Sequence, residues 1–256
     1  MWDGATIISH TGPDALDLLH RLATKDLLSV GIGRSRRTVV TSAKGRGIDV
    51  FLVAHTSGNE LLLISDSSNS DRLVSAIDYF TIIEDAELTD RTDQSTRISL
   101  VGPNARAAVE TGMGVKIDLD DAVQVSVDGD LLEIVSDSSR GVQWVDVICK
   151  DAGAARIAES LTAVGAITVD QANFEHFQID HEIPGSDREY GEHANPIEAG
   201  LLHLIDWDKG CYVGQEVIAR LDAYDKVQRN VRVLTSDAPL IEGVKLTADS
   251  KPAGVV

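Results

Sequence analysis

An eight-residue phrase occurs twice in this chain and limits what it can fold into. Ile8-Ser9-His10-Thr11-Gly12-Pro13-Asp14-Ala15 returns as Ile98-Ser99-Leu100-Val101-Gly102-Pro103-Asn104-Ala105, with five identities in eight positions. Each copy reads as the end of a short strand, starting at Ala5 in the first, then a glycine turn and a helix. Proline sits at the helix start, where its missing amide costs nothing. In the first copy Leu16, Leu18, Leu19 and Leu22 follow at helical spacing. Strand-like runs come next at 36–41, 48–53 and 61–64, joined by Ala43-Lys44-Gly45-Arg46-Gly47 and His55-Thr56-Ser57-Gly58-Asn59. A helix-compatible stretch at 69–79 then leads to the short apolar run Ile82-Ile83, read as a strand. The second copy repeats the order: a helix to about Val109, strands at 123–127 and 131–135 around Asp128-Gly129-Asp130, a strand at 144–148 and a helix at 152–163. Two copies are too few for a solenoid. The expected fold is α+β, with two related lobes beginning near residues 5 and 97, each a ferredoxin-like, split β-α-β unit. A cleft between two such lobes is a natural place for a small ligand.

Beyond the repeat, Phe174, Phe177, Gln178 and Ile179 suit a helix over 169–181 that stops at Ile183-Pro184-Gly185. A loop-rich stretch follows. Residues 230–256 read as strands broken by Pro239, Gly243 and Pro252, as in a small barrel, and end on Ala253-Gly254-Val255-Val256 without a closing element. The expected division is therefore a core over 1–225 and the start of a C-terminal, incomplete β-barrel over 226–256. The net charge of −18, from 41 acidic against 23 basic residues, repels nucleic-acid phosphates and anionic membranes, so neither is an expected partner. The acids are scattered through the chain and suit a salt-rich cytoplasm. Met1-Trp2-Asp3-Gly4 has neither the basic segment nor the apolar core of a secretion signal. The apolar run 61–64 falls far short of the roughly 20 residues that cross a bilayer. With two cysteines and no Cys-x-x-Cys pair, a reducing, cytoplasmic location is expected.

The chemistry concentrates in Asp208-Lys209-Gly210-Cys211-Tyr212-Val213-Gly214-Gln215-Glu216-Val217-Ile218-Ala219-Arg220. It sets a thiol between glycines and beside a lysine. Cys211 is the candidate nucleophile, or a thiolate holding a metal or sulfur species, with Lys209 favouring the thiolate. The alternative for Cys211 is an inert, buried thiol, which is the reading for Cys149 beside the apolar run 145–148. His176 and His181 are close enough in sequence to assist, or serve as ordinary hydrogen-bonding residues. One cysteine is too few for a stable cluster, which normally takes four protein ligands, so no resident metal is expected.

Lys209 to Glu216 resembles the signature K-G-C-[FY]-x-G-Q-E of the YgfZ proteins, in the family that also contains the glycine-cleavage T-protein. Asn195-Pro196-Ile197-Glu198-Ala199-Gly200-Leu201 resembles that family's P-x-E-A-G-L element, and 179–184 its I-E-A-G-I-P turn. Gly12-Pro13-Asp14-Ala15 and Lys44-Gly45-Arg46 also resemble family elements, so the resemblance runs in order along nearly the whole chain. It implies a GcvT-like arrangement of three domains around a central hole that binds tetrahydrofolate or a one-carbon derivative. Transferases of the family carry an Asp-Asp pair where this chain has Asp49-Val50, and usually an acidic residue in place of Cys211. Both departures point to the YgfZ branch, in which the cysteine serves the assembly or repair of iron-sulfur clusters and iron-sulfur proteins are the clients. A folate-dependent aminomethyltransferase or demethylase is the second reading, and a scaffold that has lost its ligand the third. The folate contacts implied are Asp49, Asp66, Asp180, Gln215 and Arg220. Asp180 stands where the family has glutamate, with Glu182 in place of a glycine. Arg220 would meet the folate tail or pair with Asp222 or Glu216. Asp49 would accept from a folate amine or cap a strand end.

Overall fold

The computed structural model describes residues 6–256. The readings placed on residues 1–4, and the first residue of the strand expected from Ala5, lie outside the described residues. The first repeat contributes β1 (Thr6–Thr11), α1 (Ala15–Leu22), β2 (Arg34–Thr41), β3 (Gly47–Ser57), β4 (Glu60–Ser65), α2 (Ser70–Asp78) and β5 (Glu87–Asp90). The second contributes β6 (Ser95–Val101), α3 (Ala105–Met113), β7 (Ala122–Val127), β8 (Asp130–Asp137), β9 (Trp144–Lys150) and α4 (Asp151–Ala163). The strand orders are β2-β3-β4-β1-β5 and β7-β8-β9-β6, so the second sheet reproduces the first without its edge strand. The repeated phrase occupies the same turn in both. Gly12 and Gly102 adopt φ of +122° and +112°, which a side chain would resist. Their amides donate to Asn59 and Gln143 carbonyls at 3.0 Å each, and both acceptors lie in the corresponding strand connection.

Every ladder in the two sheets is antiparallel. β4 and β5, joined through α2, lie on either side of β1 and so run parallel to each other. The chain leaves each first helix for the far edge of its sheet, three strands away. One expectation needs correction: Ile82 and Ile83 do not form a strand. They are 82% and 91% exposed, in a turn where both amides donate to the Glu84 carboxylate at 2.9 and 3.1 Å. The strand comes later, as β5 on β1.

The layers follow from alternation along the strands. Phe51, Val53, Leu61, Leu63 and Ile8 point to α1 and α2, while Leu52, Ala54, Leu62, Ile64 and Ile7 point the other way. That second face meets Ala122, Val135 and Ile148 of the other sheet, whose outer face carries Leu132, Ile134, Val145 and Val147 against α3 and α4. The order is helix, sheet, sheet, helix. Because both faces of the first sheet are covered, β3 and β4 are apolar at nearly every position.

The chain then forms α5 (Gln171–Asp180), a long irregular segment and α6 (Gln215–Ala223). Tyr190, Ala194, Ala199, Leu201 and Leu204 of that segment pack on Val39 of β2 and Val50 of β3. The sheets are not closed barrels. Residues 226–256, where an incomplete barrel was expected to start, add one two-stranded hairpin, β10 (Lys245–Ala248) with β11 (Lys251–Val255). Two paired strands leave two open edges, and closure needs more strands. Among the described residues no helix is long and apolar enough to cross a membrane.

Candidate functional site

Between the two lobes and the irregular segment lies a cavity of about 280 Å³, near the lower end of ordinary ligand sites. Its wall takes Arg37 from β2, Val50 from β3, Asp66 just after β4, Arg140 from the β8–β9 connection, and Ile183, Tyr190 and His203 from the segment after α5. Both repeats and the segment between α5 and α6 therefore build it.

A buried ion network forms the back of the cavity. Arg97 of β6 grips Asp146 of β9 with two bonds of 2.8 Å and reaches Asp66 at 2.9 Å. Arg140 donates to Asp66 at 2.7 Å and to Asp137 at 3.2 Å. Arg37 donates to Asp137 at 2.7 Å, with its Nη1 3.8 Å from Asp66. Trp144 adds an indole bond of 3.0 Å to Asp146, and the Arg140 guanidinium lies 3.8 Å from the Trp144 ring centre. Burial works against the Asp66 charge, but Arg140, Arg97 and Arg37 together hold its carboxyl well below the usual carboxylate range. Asp137 is held low in the same way, against its burial, by Arg37 and Arg140. Charged groups this deep are tolerated because they are paired and hydrogen-bonded.

Next to this balanced network, three polar atoms have no partner: Arg37 Nη2, Tyr190 Oη and Asp49 Oδ2. Asp49 precedes the cavity-lining Val50 and is fully buried. Its Oδ1 accepts from Ser65 Oγ at 2.8 Å and from the Val50 amide at 2.7 Å. Burial pushes the Asp49 carboxyl up to about 7; the Ser65 and Val50 bonds and Arg72 offset part of that rise, and nearby Asp66 adds to it. A carboxyl poised near neutrality is the kind of group that handles protons. Burial, with Asp66 and Asp49 nearby, raises the Tyr190 hydroxyl well above its ordinary value, so it stays a neutral phenol.

Of the residues predicted from sequence, the structure brings together Asp49 and Asp66, with Asp66 wholly committed to arginines. Of the seven, only Asp66 lines the cavity. Asp180 ends α5 and is exposed, Gln215 opens α6, and Arg220 is exposed and sits 3.3 Å from Glu216. Cys211 is an exposed free thiol. Lys209 points elsewhere: its ammonium donates to the carbonyls of His20 and Ala23 at 2.5 Å each and of Lys25 at 3.3 Å, fastening the end of α1. Partial burial lowers its pKa to about 8, against Asp26 and Asp206, which raise it.

The signature glycines have a packing reason. A Cβ on Gly214, at φ +83°, would stand 2.4 Å from the Ser42 carbonyl oxygen, and one on Gly45 would meet Val217 and Ile218 at 3.2 Å. Thr41 Oγ1 donates to the Val213 carbonyl at 2.5 Å, so the segment is docked on the β2–β3 hairpin. The preceding element is tied to the same hairpin. Glu198 takes Arg46 at 2.8 Å and the Asn195 amide at 3.0 Å, and Gly47 donates to the Ala194 carbonyl at 2.9 Å. Arg37, Arg140 and Tyr190 were missed from sequence. The signal for Arg37 was parity: it shares a strand face with Val39, the inward one. Among the described residues no group of three or more His, Cys, Asp or Glu side chains is placed to hold a metal ion.

Residues 5–209 match the family model described as the GCVT N-terminal domain. A putative transferase, chloroplastic, of Arabidopsis thaliana is 28% identical over 95% of this chain and 57% of its own length. An aminomethyltransferase of Herpetosiphon aurantiacus is 23% identical over 96% of this chain and 70% of its own. The chain thus spans little more than half of the first of these relatives. The crystal structure of glycine cleavage system aminomethyltransferase T from Bartonella henselae superposes with a TM-score of 0.80 at 16% identity, covering 99% of this chain and 71% of that one, a likeness of fold.

Proposed function

The chain belongs to the GCVT N-terminal domain family, and from that membership and the inter-lobe cavity we propose that it binds tetrahydrofolate or a one-carbon derivative there. The observation that carries the reading is the cavity of about 280 Å³ built by both repeats, with Asp49, a buried carboxyl with one unpartnered oxygen and a pKa pushed up to about 7, one residue before its wall residue Val50. Near neutrality such a group can accept a hydrogen bond from a ligand amine or pass a proton to it, which is what one-carbon transfer onto a folate nitrogen requires. Its Oδ1 is held by Ser65 and the Val50 amide, and its Oδ2 is buried without a partner. Val50, the next residue on β3, lines the cavity from the opposite face of the strand. The named aminomethyltransferase relatives favour a transferase of this kind.

A second reading, a YgfZ-like role in iron-sulfur cluster assembly or repair, is favoured by the exposure of Cys211. A thiol outside the cavity can meet another macromolecule without disturbing the ligand. Calorimetric titration with tetrahydrofolate separates the parts. Micromolar binding that survives Cys211→Ala and weakens at least about 10-fold in Asp49→Asn supports the folate site; no binding to the wild type ends that reading. Production of methylenetetrahydrofolate from an aminomethyl donor, lost in Asp49→Asn and kept in Cys211→Ala, supports the transferase. Dependence of an iron-sulfur enzyme's activity on Cys211 alone supports the second reading.

A further inference from the structure

Two arginines far apart in sequence share one carboxylate beside the β2–β3 hairpin. Asn195 and Glu198 bond each other reciprocally, the Asn195 amide to Glu198 Oε2 at 3.0 Å and the Glu198 amide to Asn195 Oδ1 at 2.9 Å, a pairing like a capping box that fixes the carboxylate. Arg46, whose amide and carbonyl are both bonded to Ser42 in the hairpin turn, donates to Oε2 at 2.8 Å. Arg229, beyond α6, donates to Oε1 at 3.3 Å. Both guanidiniums also donate to the His193 carbonyl, and this shared oxygen sets them side by side. Burial works against the Glu198 charge, but the Asn195 amide, Arg229 and Arg46 hold its carboxyl below its ordinary value. The carboxylate is covered while the cations are open: the Glu198 side chain is 11% exposed, against 41% for Arg46 and 60% for Arg229. Neither arginine lines the inter-lobe cavity.

Charge says what fits there. The network behind the cavity sets Arg37, Arg97 and Arg140 against Asp66, Asp137 and Asp146, one for one. Here two cations meet one anion, and the exposed Lys44 adds a third positive charge on the same turn. Among the described residues, Nε and Nη2 of Arg46 and Nη1 of Arg229 have no hydrogen-bond partner. Guanidinium forks match the paired oxygens of a carboxylate or phosphate. The net charge of −18 limits the size of the ligand. At a screening length of about 8 Å a small anion feels the local cations, whereas a polyanion long enough to leave the site meets the acids around it. We propose that Arg46 and Arg229 form a binding site for an oxyanion, the carboxylate or phosphate group of a small molecule, and that the bound group fastens the segment around Arg229 to the β2–β3 hairpin. The Val231 amide already donates to the Glu198 carbonyl at 3.0 Å, so an anion bridging the two arginines adds a tie to an attachment that exists.

The test is a nitrogen–proton NMR titration at constant ionic strength, with chloride replaced stepwise by inorganic phosphate or by glutarate. The Nε–H signals of Arg46 and Arg229 should shift and saturate with a Kd on the order of 1 mM. At about ten times that concentration, hydrogen exchange of the Val231 amide should slow about 10-fold, because the anion binds only the attached form. Saturation by phosphate alone assigns a phosphate-bearing ligand, by glutarate alone a carboxylate-bearing one, and by both a site for either group. Arg229→Gln, at an exposed side chain whose loss leaves Arg46 on Glu198, should weaken binding at least about 10-fold. Arg188→Gln, which breaks an exposed pair with Glu175 instead, should leave it unchanged. Shifts that fail to saturate by about 50 mM with either anion overturn the site. Binding that is unchanged in Arg229→Gln, or weakened equally in Arg188→Gln, overturns its assignment to this pair. Saturable binding without slower Val231 exchange overturns the fastening.

Discussion

Replacing Asp49 by asparagine should stabilise the free protein while damaging its site, and the gain should depend on pH in a way only a strained carboxyl explains. Asparagine keeps an oxygen for Ser65 Oγ and the Val50 amide and removes the charge. The Asp49 carboxyl rises from 3.8 to about 7 on folding, roughly 3 pH units, and at about 1.4 kcal/mol per unit that corresponds to about 4 kcal/mol of destabilisation once the group is ionised. The sign follows from proton counts. Between pH 4 and 7 the unfolded chain has released a proton that the folded chain retains, so wild-type stability falls as pH rises through that window and levels off above it. Below pH 4 both states hold the proton and the term vanishes. Urea unfolding of ligand-free wild type and Asp49→Asn at pH 5 and pH 8 reads the difference directly. The advantage of the variant should grow by about 3 kcal/mol between the two pH values, a large share of the roughly 5–15 kcal/mol that holds a domain together. An advantage that does not change with pH would mean that Asp49 is ionised and solvated throughout, and the case for it as a proton-handling group would fail.

Other substitutions test the frame around the site. Lys209→Met should cost about 1–3 kcal/mol in urea unfolding by stranding the carbonyls at the end of α1. It should change the rate at which Cys211 reacts with a chromogenic disulfide less than about 2-fold; a large slowing would restore Lys209 as the activator of the thiol. Gly214→Ala should cost about 2 kcal/mol or more in thermal unfolding, because its Cβ would overlap the Ser42 carbonyl at a φ that side chains avoid. Arg97→Met should cost about 3–5 kcal/mol by leaving Asp146 and Asp66 short of counter-charge, read by denaturant unfolding at neutral pH.

The duplicated architecture was legible because its signals are local. A glycine at positive φ followed by proline fixes the same turn twice, and alternation along β3 and β4 fixes two faces without knowledge of what covers them. Arrangements made by distant residues were not legible. Ile82-Ile83 has the composition of a strand, yet the Glu84 carboxylate claims both amides and the ladder on β1 begins beyond it. Asp49 and Asp66 could be singled out by resemblance, but their opposite states, one pushed near neutrality by burial and one held ionised by arginines from β2, β6 and the β8–β9 connection, depend on packing that no spacing reveals. The signature around Cys211 reads as chemistry in sequence, whereas its glycines and lysine spend themselves on docking against the β2–β3 hairpin and α1.

The placement of the ion network gives its role. It joins strands of both repeats where their sheets meet, at the back of the cavity, and not on the outer faces where apolar side chains already close each lobe. Buried ion pairs contribute little net stability compared with apolar residues of the same volume. Apolar contacts between two sheets, however, tolerate sliding that hydrogen-bonded arginines do not, since a guanidinium gripping a carboxylate with two bonds has one working geometry. Arg97 on Asp146 and Asp66, and Arg37 on Asp137, therefore set the register of one repeat against the other, and with it the width of the cavity. The two repeats give two nearly equivalent lobes, and the cavity lies where residues of both meet the segment after α5.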